Sequence, residues 1–135
     1  MQINWWAVIV AAASSFLLGG LWYAKPVFGR VWGREAGMLP ADGEMPKGPK
    51  HPARVFIVSF IFSLIAAWAF AYLLGPNPPV ISALRMGFVV GACIVAASFG
   101  INYQFANRST LMWLIDGGYH LVQFLLFGLV LGLWH

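Results

Sequence analysis

VFIVSFIFSLIAAWAFAYLL at residues 55–74, GPNPP at 75–79 and VISALRMGFVVGACIVAASFGI at 80–101 place two long apolar runs on either side of a proline-rich reversal. Each run is near the roughly 20 residues that a helix needs to cross about 30 Å of hydrocarbon. Pro76, Pro78 and Pro79 lack an amide donor and push the residues before them out of the helical region, so the chain turns sharply between the runs. The two helices are expected to be antiparallel neighbours. Working outward, Ile3 to Tyr23 and Leu111 to Trp134 form two further runs of the same kind. The expected fold is all-α: an integral membrane four-helix bundle in a single transmembrane domain. Its spans fall at about 3–23, 55–74, 80–101 and 111–134, with a basic loop at about 24–54.

Composition supports lipid as the solvent. The chain has 135 residues, 61% hydrophobic and only 9% charged, against about a quarter charged in soluble domains. A soluble enzyme of this length would have too few charges to coat its surface. One cysteine excludes an internal disulfide and any multi-cysteine metal site. Met1, Gln2, Ile3 and Asn4 carry no Lys or Arg, so the first run is expected to be a retained helix and not a cleaved signal peptide.

Charge sets the expected orientation. Lys25, Arg30, Arg34, Lys47, Lys50 and Arg54 lie in or beside the first loop, and Arg108 lies in the loop after the third span. Only Arg85 lies toward the other side. Four spans bring those two loops to one face, and short basic loops stay in the cytoplasm, so both termini are expected on the outer face. Trp5, Trp6, Tyr72 and Trp134 would mark the outer border, and Trp22, Tyr23, Trp32, Tyr103 and Trp113 the inner one, most of them as interfacial anchors. Val27, Phe28, Val31, Trp32 and Leu39 share one helical face, which suggests a short amphipathic piece on the inner surface. Residues 38–52, with Pro40, Pro46, Pro49, Pro52, Gly43 and Gly48, read as extended chain. Topogenic charge accounts for the basic loop, so no nucleic-acid partner is expected.

Small residues would bring the helices together, because apolar matching draws nothing together in lipid. Ala11, Ser15 and Gly19 recur at every fourth position; Ala83, Gly87 and Gly91 form a ridge on the third span, and Ala92, Ala96 and Gly100 a second; Gly128 and Gly132 close the fourth span. Two ridges on one helix suggest a homo-oligomer or a larger membrane complex.

The candidate site lies in the fourth span. Asp116 and His120, four residues apart, stack on one helix face, which Trp113 and Gln123 extend by a turn each way. An ionisable residue inside a span is a functional candidate by default and should face the bundle or a wet cavity. Two readings stay open. One is a proton-responsive or ligand-binding site; the other is an Asp–His hydrogen bond that locks the helix to Ser98 or Asn102. Arg108 is the expected electrostatic partner of Asp116, whereas Arg85 snorkels to the opposite border. With His51 and His135 in a loop and at a terminus, no metal or haem site is expected within one chain. No glycine-rich phosphate loop, paired-carboxylate cluster or nucleophile motif is present, and Cys93 reads as a packing residue. The ligand, if any, is left open.

The ordered motifs Asn4-Trp5, Gly20-Leu21-Trp22-Tyr23, Phe28-Gly29, Trp32, Asn102-Tyr103, Phe105, Arg108, Ile115-Asp116, Gly118-Tyr119-His120, Gly128, Gly132 and Trp134 resemble the bacterial domain-of-unknown-function 1761 family. The resemblance spans nearly the whole chain. One departure is local: the family commonly follows its Trp-Tyr with a small residue and then proline, whereas here Ala24-Lys25-Pro26 inserts a lysine. The resemblance implies a small bacterial inner-membrane protein with several spans and no established activity. By resemblance, Trp22, Tyr23, Arg108, Asp116, Tyr119 and His120 are the first positions of interest. The sequence supports an uncharacterised, non-enzymatic membrane protein that self-associates or acts as an accessory subunit. A proton-linked transporter or channel acting as a dimer, or a lipid- or quinone-binding protein, is the alternative.

Overall fold

The computed structural model describes residues 2–38 and 52–135. Leu39, Pro40, Pro46, Pro49, Gly43, Gly48, Lys47, Lys50 and His51 lie outside the described residues. Four helices are long and apolar enough to cross a membrane: α1 (Trp5–Trp22), α3 (Pro52–Leu74), α4 (Val80–Phe105) and α5 (Thr110–Leu133). A short α2 (Arg30–Glu35) follows a π-helical turn at Lys25–Gly29. No strand occurs among the described residues.

Local chemistry fixes the ends. The side chain of Asn4 accepts the Ala7 amide at 3.1 Å to open α1, and Ser109 accepts the Met112 amide at 3.1 Å to open α5, each satisfying a donor with no partner inside the helix. Helix α3 is described from Pro52, three residues before the apolar run, and a first-turn proline loses no hydrogen bond. Gly75 and Asn77, with φ of 76° and 49°, make the reversal after α3. Asn107 ends α4 in the left-handed region, which lets the Arg108 amide donate back to Tyr103 at 2.9 Å. In the middle of α4, Val89–Ala96 widens into a π-helix.

Helix α5 is the centre of the packing. It lies against α1 on one side and α4 on another, while α3 rests mainly on α1. Ala7, Val8, Ala11 and Ala12 of α1 meet Ala67, Phe70 and Ala71 of α3 and Phe124, Phe127 and Leu131 of α5 in the core. Phe70 carries α3 to α5, with its ring 5.5 Å from Phe124 and 6.3 Å from Phe127.

The expected pairing of α3 with α4 is corrected here. The chain reverses at Gly75-Pro76-Asn77-Pro78-Pro79, but among the described residues α3 and α4 do not pack on each other. Sequence proximity is overridden by backbone fit. A Cβ at Gly128 would sit 2.5 Å from the Ala83 carbonyl oxygen, one at Gly91 would sit 2.9 Å from Leu121 Cα, one at Gly132 would sit 2.9 Å from Val80 Cα, and one at Gly87 would collide with the Phe124 carbonyl. Those glycines let α4 and α5 touch along their backbones. Helix α3 has no glycine and turns Ser63, Ala67 and Ala71 inward. Its first eight residues, from Pro52 to Ser59, are all exposed.

Gln2, Asn4, Asn77, Trp134 and His135 line one concavity, which puts both chain ends beside the α3–α4 reversal. At the opposite end α2 packs against α5, with Phe28 on Trp22 and Trp32 edge-on to Tyr23.

Candidate functional site

Asp116 is 7% exposed, on the seventh residue of α5. Both carboxylate oxygens are occupied: the Tyr23 hydroxyl donates to Oδ1 and the Tyr103 hydroxyl to Oδ2. Tyr23 stands at the end of α1 and Tyr103 near the end of α4, so the carboxylate joins three helices. Two phenol donors reach the carboxylate, and among the described residues no Lys, Arg or His bonds to it. Arg108 is exposed beyond α4 and lines a shallow recess with Tyr103, Gln104, Ser109, Thr110 and Trp113. The polar partners of the carboxylate are thus phenols.

His120 lies one turn deeper. Its Nδ1 is 2.7 Å from Gln123 Oε1, its ring stacks on Phe99 at 4.9 Å and 19°, and Tyr119 stands edge-on at 5.0 Å. Gln123 Nε2 donates to Ser15 Oγ at 3.4 Å, and Ser15 Oγ lies 2.8 Å from Ser63 Oγ. Ser15 and Ser63 also reach the Ala12 carbonyl, at 3.1 and 3.3 Å. A polar chain therefore runs from His120 through Gln123 and Ser15 to Ser63, linking α5 to α1 and α3. Tyr119 donates to the Ser15 carbonyl at 3.0 Å, in the space left by Gly19.

Of the residues expected on one stripe, Asp116, His120 and Gln123 share the inward face. The indole of Trp113 goes elsewhere: it donates to the Ala96 carbonyl at 2.7 Å, packed over Gly100 and Gly117. That carbonyl lies at the end of the π-helical stretch, where the regular ladder of α4 is broken. Asn102 and Ser98 are exposed, and Ser98 donates to Ile94 of its own helix at 2.6 Å. Neither belongs to the Asp116–His120 cluster. Trp22 donates to the Ile115 carbonyl at 2.9 Å over Gly118. Trp22, Tyr23, Tyr103 and Trp113, read from sequence as border residues, thus turn their polar ends into the protein. Aromatic rings with a polar tip seek a buried acceptor when one is available.

The small ridges are engaged within the chain as well. Ala11 and Ser15 are fully buried, and Gly19, Gly87, Gly91, Gly128 and Gly132 each face a neighbouring helix. Among the described residues no group of three His, Cys, Asp or Glu could hold a metal, and Cys93 is exposed.

A buried acid clamped by phenols, beside a histidine at the head of a polar chain, defines a polar site enclosed by apolar helices. Residues 6–132 match the family described as protein of unknown function (DUF1761), and the chain belongs to that family. No curated protein and no solved structure matches it.

Proposed function

We propose that this chain is a multi-pass protein of the bacterial inner membrane that works without catalysing a reaction, by self-association or as an accessory subunit. Its Asp116–His120 cluster is the polar site on which that role depends. The supporting observation is the exposed start of α3, a helix that does not pack on α4 among the described residues. A helix with eight consecutive exposed residues leaves room for a second chain or a lipid to complete the bundle. The basic loop faces the cytoplasm and both termini face outward, since five described cations, Lys25, Arg30, Arg34, Arg54 and Arg108, are exposed toward one end.

Native mass spectrometry of tagged protein, released gently from its own host membranes, tests this reading. A stable heteromeric partner or a homo-oligomer is the expected result. A bare monomer in several mild detergents and in nanodiscs would overturn it.

A second reading has its own support. His120 is only partly buried, and its Nε2 has no hydrogen-bond partner among the described residues. That favours a lipid-borne ligand at the site. Proton-linked transport by a dimer fits the His120–Gln123–Ser15–Ser63 chain, and flux through proteoliposomes lost in Asp116→Asn would select it.

A further inference from the structure

The recess at the loop between α4 and α5 holds a cation that the Asp116 cluster does not use. Its volume is about 250 Å³, below the roughly 300–1,000 Å³ of a site for a drug-sized ligand, so it suits one chemical group and not a whole molecule. Arg108, Gln104 and Thr110 line it, and all three are exposed. The side-chain hydrogen bonds around it run from Tyr103 to Asp116, from the Met112 amide to Ser109 and from Trp113 to the Ala96 carbonyl. Among the described residues none reaches the Arg108 guanidinium, the Gln104 amide or the Thr110 hydroxyl. The carboxylate nearest in sequence, Asp116, is already taken by two phenols, and among the described residues no Asp or Glu lines the recess.

Local structure holds the cation in place. The amides of Ala106, Asn107 and Arg108 donate to the carbonyls of Asn102, Gln104 and Tyr103 at 2.9, 3.3 and 2.9 Å, which ties the backbone of Arg108 to the last turn of α4. Ser109 Oγ already caps the start of α5, so the donors on which the site rests are side chains. The indole N–H of Trp113 is spent on Ala96, and its ring serves the recess as an apolar wall.

A guanidinium presents its donors in a fork that matches two oxygens of one anionic group, and the amide and hydroxyl add donors beside it. Position selects the anion. Residues 106–109 join two helices long enough to cross a membrane, so Arg108 stands at the level of the lipid headgroups, where every phospholipid presents a phosphoryl group. Phe105 and Leu111, three residues to either side of Arg108, are exposed apolar side chains and suit the acyl chains below such a headgroup. We infer that the Arg108 recess binds a phosphoryl group at the membrane border, carried by an anionic phospholipid or present as free phosphate. The guanidinium takes two of its oxygens, with Gln104 and Thr110 as further donors. This site is independent of self-association and of the Asp116–His120 cluster, and it serves in either orientation, because headgroups border both faces.

The experiment titrates the full chain in a mild detergent with phosphatidylglycerol and with diacylglycerol of the same acyl chains, and counts bound lipid by native mass spectrometry; inorganic phosphate is then added as a competitor. One phosphatidylglycerol per chain is expected to bind in preference to diacylglycerol. Arg108→Gln should weaken it about tenfold or more, the worth of hydrogen bonds to a charged group. Arg108→Lys, which keeps the charge and loses the fork, should recover only part of the loss. Arg54→Gln removes an exposed cation at the start of α3, outside the recess, and should cost no more than about fivefold, the diffuse attraction of one charge. Displacement by phosphate at the Arg108-dependent site would assign a free anion, and retention against it would assign the lipid. The inference is overturned if diacylglycerol binds as well as phosphatidylglycerol, if Arg108→Gln and Arg54→Gln weaken binding alike, or if no probe binds saturably. Should Arg108→Gln fail to fold, Thr110→Val decides: a loss of about two- to tenfold, one net hydrogen bond, supports the site, and unchanged binding overturns it.

Discussion

At the residue scale, the carboxylate of Asp116 is held at both of its oxygens. Each oxygen holds one phenol, and the two phenols come from different helices. Hydrogen bonds to a charged group contribute roughly 1.5–3 kcal/mol, and leaving a buried charge short of a donor costs as much again. Tyr23→Phe and Tyr103→Phe are therefore each expected to lower unfolding free energy by about 2 kcal/mol, measured by equilibrium unfolding in mixed micelles. The same substitutions made on an Asp116→Asn background should cost less than half as much, since a neutral amide accepts weakly. Equal costs on both backgrounds would show that the phenols do not act through the carboxylate. The spacing of Asp116 and His120 was legible in sequence, because residues four apart share a helix face whatever surrounds them. Their partners were not. Tyr23 and Tyr103 lie 93 and 13 residues from Asp116, and which of several border aromatics turns inward depends on how three helix ends meet.

At the element scale, small residues decide which helices touch. Gly128 faces the Ala83 carbonyl so closely that any side chain must push α4 from α5. Gly128→Ala is expected to destabilise by about 1–3 kcal/mol, the range for overpacking a tight contact. Gly20→Ala is the control, because nothing lies within 4 Å of the added atom; it should be neutral or stabilising by up to ~1 kcal/mol through helix propensity. Thermal unfolding of both variants in one detergent reads the contrast. Trp113→Phe removes the donor to the Ala96 carbonyl while keeping an aromatic ring over Gly100 and Gly117. A loss of about 1–2 kcal/mol is expected from the unsatisfied group. The four long helices were readable from length and apolarity alone, as were the sharp reversal and the small ridges. The π-helical stretch was not, since Val89–Ala96 has the same composition as any apolar helix. Nor was the separation of α3 from α4, which follows from the absence of glycine on α3 and not from the turn that joins them.

At the scale of the whole molecule, orientation is the property on which every functional reading depends, because it decides which compartment the basic end meets. Both chain ends and the α3–α4 reversal lie together, and the exposed cations Lys25, Arg30, Arg34, Arg54 and Arg108 flank helix ends on the other side. The proposed orientation follows the bias of Lys and Arg toward short cytoplasmic loops, and it predicts that the termini lie outside. Cys93 is the single cysteine, so Cys93→Ser gives a background without thiols. On it, His135→Cys and Met38→Cys each place one thiol at an exposed position, the first at the terminal end and the second just after α2. A membrane-impermeant maleimide applied to intact spheroplasts should label the His135→Cys variant, and should label Met38→Cys only after permeabilisation. The reverse pattern would invert the topology and send the basic end outward, where anionic cytoplasmic lipid could not meet it. Labelling of both in intact spheroplasts would break the four-span arrangement itself, because three crossings separate Met38 from His135 and an odd number puts the two in different compartments.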